Sequence, residues 1–299
     1  MARAFAKVIL LGEHAVVYGV PALVAGLSRG ATVHAEPSSG HSVRIEGAPE
    51  IETDRELEAA LAALCRSLGA PAMRLDVVLD VPAGSGLGAS AAIGVAAARA
   101  VMERLSPELP ASLDRVLEAA AAWEGVFHGN PSGIDAAAAA LGGCLYFQRG
   151  EPPERVAVGS PVSLAVVKAG PPASTRAMVE HVAMMKKRRP EVFEKTLRGI
   201  EAVVKNGRTC IEQGDLAGLG KLFDLNQMLL SGLMLSTPEI EQACAIARGA
   251  GALGAKLTGA GGGGAVVALV EDVAPVLHAW QVAGFNGFAA SITARASSP

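Results

Sequence analysis

Residues 82–92, with the sequence PAGSGLGASAA, are the most informative segment of the chain. They lie between an alternating strand predicted over 73–81 and an alanine-rich helix predicted over 89–105. Glycine at every second position, Gly84, Gly86 and Gly88, lets the backbone approach a ligand closely, and the start of the next helix favours an anion. The pattern predicts a phosphate-binding loop. A tight strand-to-helix turn, which needs the same glycines, is the alternative interpretation.

The order of the predicted elements indicates the fold class. Several strands and helices lead into a second half that runs strand, several helices, strand, strand, helix, strand, which predicts an α+β fold rather than alternating βαβ units. A proline- and glycine-rich connection over 150–161 predicts two domains, 1–160 and 161–299, although a hairpin would have a similar composition. Predicted strands cover 5–11, 22–27, 31–36, 43–46, 73–81, 163–169, 252–257 and 265–270, and predicted helices cover 54–68 with Thr53 as its cap, 89–105 and 112–127, with one more after Pro131 and several between 175 and 249.

Composition excludes several classes of protein. The chain has 299 residues, of which 51% are hydrophobic and 18% charged, so it is long and apolar enough to fold around a sizeable core. A formal net charge of −3 argues against binding nucleic acid or a membrane surface by bulk electrostatics. The four cysteines are far apart and indicate neither a zinc site nor a disulfide scaffold. The pattern contains no signal peptide or membrane-spanning stretch, so we expect a cytoplasmic protein.

A second glycine-rich segment joins two predicted strands near the C-terminus. It covers residues 256–264, with the sequence KLTGAGGGG. A hairpin needs one or two glycines rather than five, because each glycine loses extra conformational entropy on folding. The excess predicts a close approach to a ligand or to another loop.

Glu124 lies on the apolar stripe of the helix predicted over 112–127. A carboxylate that faces the core is costly unless a cation or several donors meet it. We therefore expect a metal ion, a lysine or an arginine opposite Glu124. An exposed glutamate on a frayed last turn is the alternative.

Residues 128–135, with the sequence HGNPSGID, form a loop that turns into a helix start. Asp135 is followed by five alanines, so we expect it to be the only titratable group on a buried surface. A charge that merely favours the helix dipole is the alternative. His128 by itself is more typical of a hydrogen-bonded structural histidine.

Residues 7–14, with the sequence KVILLGEH, end a predicted strand in Gly12. Glu13 and His14 follow at the exit of the strand, a position that often carries functional groups. Lys7 is either one of those groups or a charge at the rim.

Together these segments resemble the motifs of the GHMP family of small-molecule kinases. Residues 7–19 are similar to the first motif of the family, 82–92 to its ATP loop and 256–264 to its third motif, while 128–135 resembles one branch of the family. The four motifs occur in the family's order and spacing, and the resemblance covers nearly the whole chain.

The resemblance implies an N-terminal α+β domain of the ribosomal protein S5 type and a ferredoxin-like C-terminal domain, with the active site between them. It implies ATP and Mg²⁺ as cofactors, and phosphorylation of a small molecule, the 5-hydroxyl of mevalonate, as the reaction. Neither nucleic acid nor a membrane is an expected partner, and a homodimer is compatible with the resemblance. The alternatives are a family member that acts on phosphomevalonate or homoserine, and a nucleotide-binding regulator without catalysis.

Matching motif positions also imply roles for individual residues. The resemblance implies that Asp135 receives the proton of the substrate hydroxyl with Lys7 beside it, and that Ser90 and Glu124 hold Mg²⁺. The family usually has a serine where this chain has Ala89, so one hydroxyl contact to phosphate is missing. The implied ATP loop consists of Pro82, Gly84, Ser85, Gly86, Leu87, Gly88, Ala89 and Ser90, and the implied substrate-side residues are Lys7, Glu13, His14, Asp135, Thr175, Thr258 and Gly259.

Overall fold

A computed structural model describes residues 1–46, 55–108, 111–128, 133–171 and 173–292 of the chain. The predicted cap Thr53, the loop residues 129–132 and the side chain of His128 lie outside the described residues.

The described part of the chain contains ten strands, nine helices and a short 3-10 turn at Ala15–Tyr18. The strands are β1 Ala2–Leu11, β2 Ala22–Pro37, β3 Ser42–Ile45, β4 Met73–Leu79, β5 Cys144–Phe147, β6 Glu154–Val156, β7 Val162–Lys168, β8 Gly254–Thr258, β9 Ala265–Val270 and β10 Gly287–Ile292. The helices are α1 Arg55–Leu68, α2 Ala89–Leu105, α3 Leu113–His128, α4 Ile134–Leu141, α5 Thr175–Arg188, α6 Pro190–Gln213, α7 Leu216–Gly232, α8 Pro238–Gly249 and α9 Ala274–Val282. Of these helices, none combines the length and the apolar character needed to cross a bilayer.

The ten strands form one sheet that runs through both halves of the chain. Its main path has the order β3, β4, β2, β10, β7, β9, β8, and β1 and β5 also pair with β2, while β6 pairs with β5. The pair β3 and β4 is parallel, and the other pairs are antiparallel. The two halves meet where Leu27 of β2 pairs with Ile292 of β10. This mixture of helices and mainly antiparallel strands confirms the α+β class, and the boundary at 160/161 stays a prediction.

The predicted helix over 89–105 is α2 with the same bounds, but two predicted strands are wrong as separate elements. The segments 22–27 and 31–36 belong to the single strand β2. Between them lies Gly30, opposite a shift in the register of β1, and a Cβ on Gly30 would lie 1.9 Å from the Ala4 carbonyl oxygen. The break in the apolar alternation therefore marks a close contact between strands, not the end of a strand.

A hairpin of β5 and β6 precedes the second half of the chain, with Cys144 opposite Val156. The sequence analysis predicted a connection over 150–161 and kept a hairpin as the alternative. The alternative is correct for residues 154–156. Two of the three residues of β6, Glu154 and Arg155, are exposed and polar, so the strand shows no apolar alternation.

Alanine-rich helices pack on the N-terminal strands and hold the glycine loop in place. The buried part of α2 runs from Ala91 to Met102, and it lies against β1 and β2. Small side chains allow close approach between the helix and the strands, as dense packing requires. As a result, the loop that precedes α2 lies next to β1.

Helix α7 packs on β8 with backbone against backbone. A Cβ on Gly220 would lie 2.3 Å from the Leu253 carbonyl oxygen, and a Cβ on Gly254 would lie 2.0 Å from the Gly220 carbonyl oxygen. The contact brings two buried polar side chains of α7, Asn226 and Gln227, to the junction of β1 and β8.

We predict that Gly220→Ala destabilises the protein by about 1–3 kcal/mol, because the new methyl group meets backbone that has no room to move. The matched control is Gly232→Ala at the end of the same helix, where nothing lies within 4 Å of the added Cβ. Its free energy of unfolding should be unchanged or slightly higher. Urea unfolding of the two variants measures the difference, and equal values would contradict this account of the α7 and β8 contact.

Candidate active site

The glycine loop between β4 and α2 adopts a conformation that only glycine reaches easily. Gly84, Gly86 and Gly88 have φ angles of 64°, 79° and 70°. Gly88 is the N-terminal cap of α2, so the loop ends at the positive pole of a 17-residue helix. Gly84 and Gly86 are exposed, which leaves their backbone open to a ligand. The tight strand-to-helix turn is confirmed, and phosphate binding by the same loop stays a prediction.

Some side chains of this loop stabilise its shape. The Ser85 hydroxyl is buried and donates to the Pro82 carbonyl oxygen at 2.6 Å. Leu87 belongs to the hydrophobic core. The side chains of Ser85 and Leu87 therefore stabilise the loop, and Ala89 is the first residue of α2.

The second glycine run packs directly on the first. A Cβ on Gly259 would lie 3.3 Å from the Gly86 carbonyl oxygen, and one on Gly264 would lie 3.6 Å from the Ser85 carbonyl oxygen. All five glycines of the run have positive φ angles, between 67° and 119°. The predicted close approach of this segment to another loop is confirmed.

Lys7 connects the glycine loop to the start of α4. Its backbone N–H donates to the Leu87 carbonyl oxygen at 2.9 Å, and a Cβ on Gly88 would lie only 2.7 Å from its Cγ. The side chain is 5% exposed, and its Nζ lies 3.2 Å from Asp135 Oδ1. Lys7 is therefore a buried cation that faces a carboxylate, rather than a charge at the rim.

Asp135 is the second residue of α4, which Gly133 caps in the left-handed conformation. The expectation that Asp135 is the only titratable group on a buried surface is wrong, because its side chain is 37% exposed and Lys7 pairs with it. The buried face of α4 is formed by Ile134 and by alanines such as Ala138. The carboxylate lies off that face and is partly open to solvent.

Glu124 faces inward as predicted and is 4% exposed. One residue that meets it is Ser90 at the start of α2, whose Oγ donates to Glu124 Oε1. Helices α2 and α3 therefore bring a hydroxyl and a carboxylate together directly behind the glycine loop.

The Ser90 and Glu124 pair has the chemistry that a Mg²⁺ ion requires. Both side chains offer hard oxygen ligands, and Mg²⁺ in phosphoryl-transfer sites takes its other ligands from phosphate and water. Across the described ranges, no group of three or more His, Cys, Asp and Glu side chains could hold a metal ion alone. The pair fits an ion that arrives with a nucleotide.

Glu13, one of the implied substrate-side residues, lies inside the fold. It is fully buried and forms an ion pair with Lys256, which is also fully buried. Its second carboxylate oxygen accepts from Asn226 Nδ2 at 2.9 Å, and Lys256 Nζ also donates to the Ile9 carbonyl oxygen at 3.3 Å. This cluster joins the end of β1 to α7 and β8.

Burial shifts the pKa of two groups here. It lowers the pKa of the Lys256 ammonium, and the carboxylate of Glu13 opposes that shift. Burial also lowers the pKa of His14, and the charge of His181 lowers it further, while a hydrogen bond to Ala260 opposes both effects.

His14 and Thr258 tie the other predicted substrate-side segments to β1. His14 is buried with a φ of 58°, and its Nε2–H donates to the Ala260 carbonyl oxygen at 2.7 Å. The Thr258 hydroxyl accepts from the Ile9 N–H at 2.9 Å and donates to the Ile9 carbonyl oxygen at 3.1 Å. These bonds hold the loop after β1 and the second glycine run together, and Gly259 continues that run against the first loop.

Thr175 begins α5 and is exposed. The same helix start lies on the second glycine run, because a Cβ on Gly262 would lie 2.8 Å from Ala173 Cβ and 2.7 Å from Met178 Sδ. Thr175 thus lies within three residues of both contacts.

Lys256 and Asn226 lie in the buried cluster around Glu13, although the sequence analysis predicted no functional role for either residue. A signal for Lys256 was present, because it is a charged residue between Ala255 and Leu257 in an otherwise uncharged strand. The argument that identified Glu124 as inward applies equally to it. Asn226 offers no comparable signal, because a polar residue within a helix is common.

Two protein-family models match the chain. The model for the GHMP kinases N terminal domain matches residues 55–143, and the model for GHMP kinases C terminal matches residues 208–285. The first range contains the glycine loop, Ser90, Glu124 and Asp135, and the second contains Lys256 and the second glycine run.

Similar proteins cover most of the chain. A mevalonate kinase from Pyrococcus abyssi is 34% identical over 90% of this chain and 88% of its own length, and one from Archaeoglobus fulgidus is 32% identical over 92% and 94%. The crystal structure of L. major mevalonate kinase in complex with R-mevalonate has 30% sequence identity and a TM-score of 0.89, covering 99% of this chain and 96% of that one. This similarity agrees with the two-domain fold that the sequence motifs imply.

We predict that Lys256→Met costs about 3–5 kcal/mol of stability, because it leaves the Glu13 carboxylate buried without its cation. The control is Lys205→Met, which breaks the exposed pair with Glu201 and should leave the free energy of unfolding nearly unchanged. Chemical denaturation measures both. Adding Glu13→Gln to Lys256→Met should recover part of the lost stability. If the double variant instead loses as much unfolding free energy as the two single variants together, the pairing is contradicted.

Proposed function

Because the chain belongs to the GHMP kinase family, we propose that it transfers the γ-phosphoryl group of ATP to the 5-hydroxyl of mevalonate, giving 5-phosphomevalonate and ADP. Relatives that match nine tenths of the chain carry the name mevalonate kinase, and a solved structure with 30% identity holds R-mevalonate. The names of these relatives support mevalonate as the substrate, and the geometry of the site supports phosphoryl transfer as the reaction.

The observation that carries the proposal is the position of Lys7. Its aliphatic stem packs against Gly88 of the glycine loop, and its ammonium lies 3.2 Å from Asp135 Oδ1. A nucleotide held on the loop would therefore lie beside the carboxylate that meets the acceptor hydroxyl. Phosphoryl transfer depends on this kind of positioning more than on covalent chemistry by the protein.

The glycine loop would bind the phosphates of ATP through its backbone. Left-handed glycines and the start of α2 offer N–H groups and the positive pole of a helix. The second glycine run supports the first from behind at Gly86. Since Ala89 has no hydroxyl, Ser90 is the hydroxyl-bearing residue in the first turn of α2.

Ser90 and Glu124 would hold Mg²⁺ on the nucleotide. The ion, when bound, neutralises charge on the phosphate oxygens. Glu124 keeps its carboxylate toward that position because the apolar packing of α3 surrounds it. The hydroxyl of Ser90 already lies within hydrogen-bonding distance of that carboxylate.

Asp135 would accept the proton of the substrate hydroxyl. Its carboxylate is partly exposed, so an alcohol can approach it from the side away from Lys7. Lys7 keeps the carboxylate in one orientation, and its positive charge stabilises the alkoxide character that develops on the acceptor oxygen. The predicted roles of both residues are thus compatible with their contacts.

The remaining predicted residues would shape the cavity. Glu13 acts through Lys256 and Asn226, whereas His14 and Thr258 bond to neighbouring backbone. We expect Gly259 and Thr175 to contribute to the wall around the substrate rather than to the chemistry.

A substrate panel tests the proposal against its alternatives. Release of ADP is measured with mevalonate, phosphomevalonate, homoserine and galactose as acceptors. Turnover of mevalonate well above the others supports the proposal, and faster turnover of another acceptor would replace the assigned substrate. A nucleotide-binding regulator would turn over none of them, although a regulator has no need for Lys7, Ser90, Glu124 and Asp135 together.

We predict that Asp135→Asn lowers kcat by about two to four orders of magnitude, because it removes the proton acceptor while keeping the shape of the side chain. Affinity for ATP should change only a few-fold. The control is Asp114→Asn, which removes a first-turn carboxylate from α3. That variant should have normal turnover. Single-turnover phosphorylation and thermal unfolding are measured for both variants. If Asp135 only stabilises its helix through the dipole, Asp135→Asn should keep normal turnover.

We predict that Glu124→Gln raises the Mg²⁺ concentration needed for half-maximal activity by about tenfold or more and lowers kcat, with little change in the unfolding midpoint. The exposed Glu118→Gln, on the same helix, is the control. A Mg²⁺ titration of Glu124→Gln that overlays that of the parent protein would remove Glu124 from the metal site.

A further inference from the structure

Trp123 lies next to Glu124 in α3 and is fully buried. Its indole N–H donates to Ser90 Oγ at 3.2 Å, and Ser90 Oγ donates to Glu124 Oε1. An indole nitrogen is a donor only. The direction of the hydrogen bonds, from Trp123 through Ser90 to Glu124, therefore follows from the chemistry of the three groups.

The two hydrogen bonds of the Ser90 hydroxyl limit how it can bind a cation. A hydroxyl oxygen has one proton and two lone pairs. The proton is directed to Glu124, and one lone pair accepts the indole N–H. By these contacts a single lone pair is left for a cation, and its direction is defined by the other three substituents of the oxygen.

The indole ring is held in position by a close contact with α2. Gly94 lies one helical turn after Ser90, and a Cβ on Gly94 would lie 2.7 Å from Trp123 Cδ1 and 3.3 Å from its Nε1. The ring of Phe127 also packs against the indole, with centroids 5.8 Å apart. A residue larger than glycine at position 94 would push the N–H away from Ser90.

We propose that Trp123 is a positioning residue for the metal ion, because its N–H orients the Ser90 oxygen toward the cation that Ser90 and Glu124 share. The inference rests on the proposed function, since it assumes that these two residues bind the metal. None of the four motif segments contains a tryptophan, and Trp123 lies just outside the nearest of them.

The chain provides a matched control in its second tryptophan. Trp280 is also fully buried, and its indole N–H donates to the Ala243 carbonyl oxygen at 2.9 Å in the other half of the protein. Trp123→Phe and Trp280→Phe therefore lose the same ring volume and one N–H hydrogen bond each. The two variants differ because only Trp123→Phe removes a hydrogen bond to Ser90.

The first experiment measures Mn²⁺ binding to the ADP complex of each variant by water proton relaxation. Trp123→Phe should bind Mn²⁺ about three- to tenfold more weakly than the parent protein, the effect of one neutral hydrogen bond. Trp280→Phe should stay within about twofold. Equal Mn²⁺ affinities of the two variants would overturn the inference. An unchanged affinity in Glu124→Gln would instead overturn the metal site of the proposed function.

The second experiment leaves Trp123 in place, so it can be carried out even if Trp123→Phe does not fold. The sequence has two tryptophans, so ¹⁵N-labelled protein gives two indole N–H resonances, and Trp280→Phe identifies them. Adding Mg²⁺ to the ADP complex should shift the Trp123 resonance and leave that of Trp280 in place. A Trp123 resonance that is unmoved at saturating Mg²⁺ would overturn the inference.

Discussion

The contact between Lys7 and Asp135 is the interaction on which the rest of the site depends. A lysine at 5% exposure needs a partner for its charge, and Asp135 lies 3.2 Å from its ammonium. The stem of the same lysine occupies the space that Gly88 leaves empty. One side chain therefore contacts both the glycine loop and the carboxylate. The proposed phosphoryl transfer depends on the relative position of these two groups.

Close backbone packing is the second constraint, and glycine and alanine make it possible. Gly86 and Gly259 bring the two glycine loops together, and Gly220 and Gly254 do the same for α7 and β8. A β-carbon on Gly220 or Gly254 would block the contact between α7 and β8, and one on Gly259 would be tight, at 3.3 Å from the Gly86 carbonyl oxygen. The chain has 35 glycines and only 4% aromatic residues, and this composition allows main-chain segments to pack closely.

Two buried carboxylates show how the protein meets the cost of burying charge. Glu13 is neutralised within the fold by Lys256 and bonded by Asn226, so it acts as a structural link between β1 and α7. Glu124 is bonded by Ser90 and lies behind the loop proposed to hold ATP. Lys256 neutralises Glu13 within the fold, whereas Ser90 and Glu124 offer oxygen ligands suited to a cation, so the proposed chemistry is assigned to the second pair.

The sequence by itself determined the features that depend on neighbouring residues. Apolar periodicity predicted α2 with its observed bounds and the inward position of Glu124, and the spacing of Gly84, Gly86 and Gly88 predicted a loop that needs left-handed backbone. Only the tertiary structure decided the partners. Glu13 meets Lys256 across 243 positions of sequence, and the indole of Trp123 meets Ser90 across 33. Hydrophobic periodicity says which side of an element is buried, but the group that it meets there depends on how distant segments pack, and no local pattern encodes that packing.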